Sequence, residues 1–183
     1  MNRVLKRLDK VHERLAATIA PLDEELFARQ PADGGWSVAQ IIQHLCLVEE
    51  RVIKDLKKAI ARPPQKIKFI KRLVPTSIVS SRLVRVKAPQ AVNPEANPSP
   101  ADLVAPRPGK EAAIANYTRA RNDLKNLYAT NGHDRFRQLV FKHPFLGEID
   151  GVATVSFVGY HEQRHYKQIR EVLKNLDPGA KNN

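Results

Sequence analysis

Apolar residues recur every three or four positions in four separate stretches of this chain, the spacing of helices with one inward face. Val4, Leu8, Val11, Leu15 and Ile19 form the first stripe, and Pro21 closes that helix. A short helical turn and a loop ending in Gly34 and Gly35 follow. Ser37 with Gln40 three positions on makes a capping box, so a second helix runs over 38–61, stopped by Pro63, with Ile41, Leu45, Val48, Val52 and Leu56 facing inward. A third helix spans 110–130 with Ile114, Tyr117, Leu124 and Leu127 on its apolar side and Gly132 as its stop. "HDRFRQLVFKHPFLGEIDG" reads as a loop, and a last helix covers 152–176, capped by Asp150 and carrying Val155, Val158, Ile169 and Val172 inward.

Over 62–109 the helical period disappears and nine of the thirteen prolines occur, which makes this segment one long connection. "KIKFI" and "RLVRVK" within it read as short extended pieces. Four amphipathic helices with one long link between the second and third describe an all-α fold, a four-helix bundle with a crossover. One domain over 1–177 and a flexible tail over 178–183 account for the chain, which shows neither an internal repeat nor a low-complexity tract.

Composition narrows the setting. With 183 residues, 42% of them apolar, the chain can bury one sizeable core. Cys46 is its single cysteine, so no intrachain disulfide forms and a reducing compartment suits it. The first twenty residues lack a signal peptide's apolar run, and no window offers ~18 consecutive apolar residues for a membrane span, leaving the cytoplasm as the expected location. The net charge of +12 is concentrated: between Lys54 and Lys87 stand eleven Lys or Arg and one acid, Asp55. Such a run can neutralise phosphates of a nucleic acid or another polyanion, but its single aromatic, Phe69, provides no stacking platform. As a solvated flank of a nearby site it would instead steer an anionic small-molecule substrate inward.

The candidate chemistry lies in the histidines. His161 and His165 are one turn apart in the stripe of Val158, Ile169 and Val172, and "HEQRH" matches the H-E-x-x-H pattern of zinc proteases. His44 lies three residues after Ile41 and four before Val48, so it also faces inward. Buried imidazoles cost roughly 1–3 kcal/mol per unsatisfied nitrogen unless they are hydrogen-bonded or coordinate a metal. One inward histidine is ordinarily a hydrogen-bonded core residue. Three on two helices point to a metal site with a further position open to water or substrate. A protease does not fit, because "YKQIRE" after His165 supplies neither the Gly nor the His of the elongated zincin motif.

"GGWSVAQIIQHLCLVEE" together with "FKHPFLGEIDGVATVSFVGYHEQRHYKQI" resembles the DinB-like superfamily, in particular its DinB_2 branch. The resemblance runs from the first helix to the last. It implies a bundle of up-down-down-up topology, frequently a homodimer, with a divalent metal held by His44, His161 and His165. It further implies an enzyme of the thiol-dependent S-transferase or isomerase type using a low-molecular-weight thiol, although members without assigned activity are common. The basic middle segment departs from the pattern. Zn, Ni and Fe all suit neutral imidazoles. A metal-dependent hydrolase and a non-enzymatic basic binding protein are the alternatives.

Other residues carry structural expectations. Cys46 lies about 200° around the helix from His44, away from the ligand face. Glu162, about 100° from His161, is either solvated or a partner of a ligand's neighbourhood, as are Glu49 and Glu50. Trp36 packs at the start of the second helix, His143 shapes the loop before Pro144, and His12 and His133 are surface residues.

Overall fold

The computed structural model describes residues 3–64, 108–143 and 147–176. Their elements are α1 (Arg3–Ile19), α2 (Glu24–Ala28), α3 (Val38–Ile60), α4 (Lys110–Arg137), β1 (Val140–His143), β2 (Gly147–Asp150) and α5 (Gly151–Leu176). The extended pieces expected at 66–70 and 82–87, most of the basic run and the tail at 178–183 lie outside the described residues.

The helix boundaries follow from capping chemistry. Ser37 Oγ accepts from Gln40 N at 3.2 Å while Gln40 Oε1 accepts from Ser37 N at 2.9 Å, closing the expected capping box on α3. Asp150 Oδ1 accepts from Ala153 N at 2.7 Å and caps α5. At the end of α3, Arg135 NH2 donates to Ile60 O at 2.7 Å and Arg62 O at 2.6 Å, satisfying carbonyls that have no partner inside the helix.

The same contacts give the topology. Lys110, at the start of α4, donates from Nζ to Leu22 O at 2.6 Å and from its backbone N to Glu24 Oε1 at 2.7 Å, so α4 begins where α1 ends. Arg135, near the end of α4, lies beside the end of α3, so these two helices run parallel. Gly151 N donates to Leu139 O at 3.1 Å, which starts α5 at the far end of α4 and sends it back antiparallel. The order is up-down-down-up. α3 and α4 are parallel neighbours, so α4 starts at the end of the bundle where α3 begins, an order that a tight turn cannot connect.

Two local expectations need correction. Gly132 interrupts α4, with φ 77° and ψ 162°, but the helix resumes and reaches Arg137 instead of stopping. A residue with a side chain rarely adopts that positive φ, which is why glycine stands there. The stretch read as a loop contains an antiparallel hairpin in which Val140 pairs with Asp150 and His143 with Gly147. Ile149 is buried on it. Four-residue strands are too short to show alternation against a helical background, so the period-two signal was absent.

Inside the bundle two apolar groups stack along the axis. One gathers Leu15, Phe27, Trp36, Ile41, Ile42 and Ile169; the other gathers Leu8, Leu56, Leu124, Phe136 and Val155. Among the described residues no helix is long and apolar enough to cross a membrane.

Candidate metal centre

α3 and α5 bring His44, His161 and His165 together, one nitrogen of each lying within 4.8 Å of the others. His161 Nε2 is 3.4 Å from His44 Nε2 and 3.2 Å from His165 Nε2. His44 and His165 are buried, while His161 as a residue is half-buried. Burial holds all three below the ordinary histidine range: His44 is pushed down to about 4 and His165 to about 3. His161 is lowered well below 6.5, by burial first and then by His165, His44 and Arg164. The imidazoles are therefore neutral at physiological pH, the state that ligates metal.

The donor set fits a divalent ion. Nitrogens bound at ~2.0–2.1 Å around a tetrahedral ion stand roughly 3.3 Å apart, close to the 3.4 and 3.2 Å that His161 makes with His44 and His165. The tautomers fit as well. His165 Nδ1 lies 2.8 Å from Gln168 Oε1, an acceptor, so Nδ1 carries the proton and the Nε2 lone pair faces the cluster. His161 Nε2 faces two other Nε2 atoms, and one proton can serve only one of them. A shared cation satisfies all three.

The surroundings fix this geometry. Trp36, directly before the α3 capping box, lies edge-on to His44 at 5.1 Å between ring centroids and parallel to His165 at 6.4 Å. Phe157, one turn before His161, lies near-parallel to that ring at 6.2 Å. Trp36 thus packs where the sequence placed it, and its ring also walls the imidazole cluster.

A second buried polar cluster lies beside the first. Arg121 donates from Nε to Glu49 Oε1 at 2.8 Å, from NH2 to Glu49 Oε2 at 3.2 Å and Glu162 Oε2 at 2.9 Å, and from NH1 to Leu8 O at 2.7 Å. None of the three side chains is more than 2% exposed. One guanidinium faces two carboxylates. Burial raises the pKa of both, and that of Glu162 is raised well above the usual range, with Glu49 as the second cause.

Glu162 is therefore a buried neighbour of the three histidines, not a solvated residue. Glu49 corrects the α3 stripe, which passes through Glu49 and Ile53 while Val48 and Val52 are only half-buried. Glu50 lies outside, 3.6 Å from Arg119. Arg121 is a charged residue, which ordinarily faces solvent, yet its steps of four from Tyr117 and three to Leu124 put it in the apolar stripe. Cys46 is half-buried and its thiol is pushed up to about 11, by burial first and then by Glu50 and Glu49, which makes it a poor nucleophile. His12 is not a free surface residue: its ring packs on Tyr117 at 4.7 Å and its Nε2 lies 3.3 Å from Thr118 Oγ1. His133 is exposed, with Nδ1 2.7 Å from Tyr128 Oη. His143 takes part in β1 through its backbone, and Pro144 lies outside the described residues.

Comparison with known proteins agrees with this architecture. The uncharacterized protein YuaE of Bacillus subtilis (strain 168) is 24% identical over 156 residues, spanning 85% of this chain and 88% of that protein. The structure of YfiT from Bacillus subtilis, described as a probable metal-dependent hydrolase with an unusual four-helix bundle topology, superposes with a TM-score of 0.62. That likeness covers 96% of this chain and 90% of YfiT at 16% identity, and it carries the fold. The DinB superfamily model, DinB_2, matches residues 7–169. The helices, their order and this match agree: the chain belongs to the DinB superfamily.

Proposed function

We propose that the chain is a metal-dependent enzyme that holds one divalent ion on the Nε2 atoms of His44, His161 and His165 and acts on a small molecule beside the half-buried His161. The observation that carries this reading is the convergence of three neutral imidazoles at 3.2 and 3.4 Å, with the His165 proton drawn to Gln168. When bound, such an ion supplies a Lewis acid that lowers the pKa of a water or thiol ligand toward neutrality.

The chain's own residues do the rest. Trp36 and Phe157 hold the imidazole planes, and Gln168 keeps the His165 proton away from the metal side. Arg164 places positive charge near His161 and His165, which favours an anionic substrate at the mouth.

Transfer of a low-molecular-weight thiol to an electrophile is the favoured activity. Its support is the position of Glu162: the carboxylate that would serve as base in an H-E-x-x-H hydrolase is engaged by Arg121 at 2.9 Å in the interior. A thiol deprotonated by coordination needs no such base. Hydrolysis is the second reading, supported by the description of YfiT. The basic residues of the α3 end, Lys54, Lys57, Lys58 and Arg62, are exposed and suit the same anionic substrates.

The test is a paired screen of the zinc-, nickel- or iron-loaded chain: conjugation of a chromogenic electrophile with a panel of small thiols, and hydrolysis of chromogenic esters and amides without thiol. Thiol-dependent conjugation lost in His161→Ala supports transfer. Hydrolysis without thiol, lost in the same variant, supports the second reading. Metal binding with neither activity refutes both.

A further inference from the structure

The Glu49–Arg121–Glu162 cluster joins all four long helices at one level of the bundle. Arg121 belongs to α4, Glu49 to α3, Glu162 to α5, and the Leu8 carbonyl that accepts from NH1 at 2.7 Å belongs to α1. The level falls between the two apolar groups of the core, since Arg121 lies between Tyr117 of one and Leu124 of the other. Its anchor points are close to the ligands: Glu162 directly follows His161, and Glu49 is five residues beyond His44 on the same helix. Apolar side chains alone set the sliding and rotation of packed helices loosely, because many packings bury similar area. A planar fork bonded to two carboxylates and a carbonyl accepts one register.

We infer that Arg121 is a positioning residue for the metal centre: it registers α3 against α5 so that His44 meets His161 and His165 at ligating distance. The inference rests on the metal reading above and deepens it. The cluster has no hydrogen bond to the three histidines. It fixes where the two ligand-bearing helices stand before any ion arrives, so that little reorganisation is required on binding.

The experiment separates register from stability. Replacing a buried ion triad with apolar residues of similar volume is often neutral or stabilising, so Glu49→Leu, Arg121→Met and Glu162→Leu are made together in the full chain. Cobalt(II) is the probe, read by its d–d absorption and by titration, with helix content and unfolding followed in parallel. The expected result is a folded chain whose cobalt affinity falls by about 10-fold or more, the size of effect seen when the support of a ligand is removed, and whose d–d band shifts.

A role in stability alone would leave the affinity and the band of the folded chain unchanged, and that result overturns the inference. If the triple variant does not fold, Arg121→Lys serves in its place: it keeps a buried cation but loses the fork, and the same weakening and band shift are expected. Wild-type affinity and band in a folded Arg121→Lys chain would likewise overturn the inference. Failure of the wild-type chain itself to bind cobalt is a distinct result, striking the unaltered protein, and it removes the metal reading together with this inference.

Discussion

Two polar clusters are buried in one bundle, and they differ in how they are satisfied. Around Arg121 donors meet acceptors: Nε and both NH groups each reach an oxygen at 3.2 Å or less. Around His161 like atoms meet like atoms, Nε2 against Nε2 against Nε2. The interior penalises an unpaired polar group by ~1–3 kcal/mol: the first cluster leaves one carboxylate oxygen, Glu162 Oε1, without a partner, while the second sets three ring nitrogens together as a cation would use them. Donor against acceptor in one cluster and like against like in the other therefore separates a clamp from a candidate ligand site, although both are buried, charged or titratable, and both link α3 to α5.

The largest expected effect breaks the cluster around Arg121. Arg121→Ala leaves two carboxylates buried without their cation and should cost about 3–5 kcal/mol, seen as a lower urea midpoint. An unchanged midpoint would mean the carboxylates reach solvent. Next comes the histidine cluster. Zinc at a hundred times its dissociation constant should raise the stability of the wild-type chain by about 2.7 kcal/mol and that of His44→Ala far less. Equal stabilisation of both chains would locate the ion elsewhere.

A smaller effect probes the wall of the site. Ser37→Ala removes one half of the capping box and should cost about 1 kcal/mol. Because Trp36 directly precedes that box and lies against His44 and His165, the substitution should also weaken zinc binding, whereas loss of stability with unaltered zinc affinity would make Trp36 a packing residue only.

The smallest effect is a pH dependence outside both clusters. His12 is pushed down to about 4, by burial first and the Arg121 charge second, against 6.5 in an open chain. Above about 6.5 neither state holds the proton and the contribution to stability is complete; as the pH falls toward about 4 the unfolded chain takes up the proton first, and stability drops. Comparison with His12→Gln should show a difference of under about 1 kcal/mol across that window, since part of the ring meets solvent. A wild-type chain that gains stability relative to the variant on acidification would contradict the burial of His12.

Much of this was legible in the chain. Periodicity located the four helices and capping located the starts of α3 and α5, because Ser37, Gln40 and Asp150 act within three residues of themselves. His44, His161 and His165 were legible as a set because each falls in an apolar stripe where histidine is costly without a partner. Arg121, Glu49 and Glu162 were not, because each resembles a surface charge until its partners on other helices are known; their pairing spans 72 and 41 positions in sequence. The β1–β2 hairpin was too short to show a period, and the continuation of α4 past Gly132 rests on tertiary packing of Phe136 in the core.

The most direct test of the account is metal content. Elemental analysis of the purified, untagged chain beside His44→Ala, both reloaded with zinc, nickel or iron salts, should find about one divalent ion per wild-type chain, as a three-histidine site holds, and none retained by the variant. No ion in the wild-type chain after reloading, or full occupancy in His44→Ala, would contradict it.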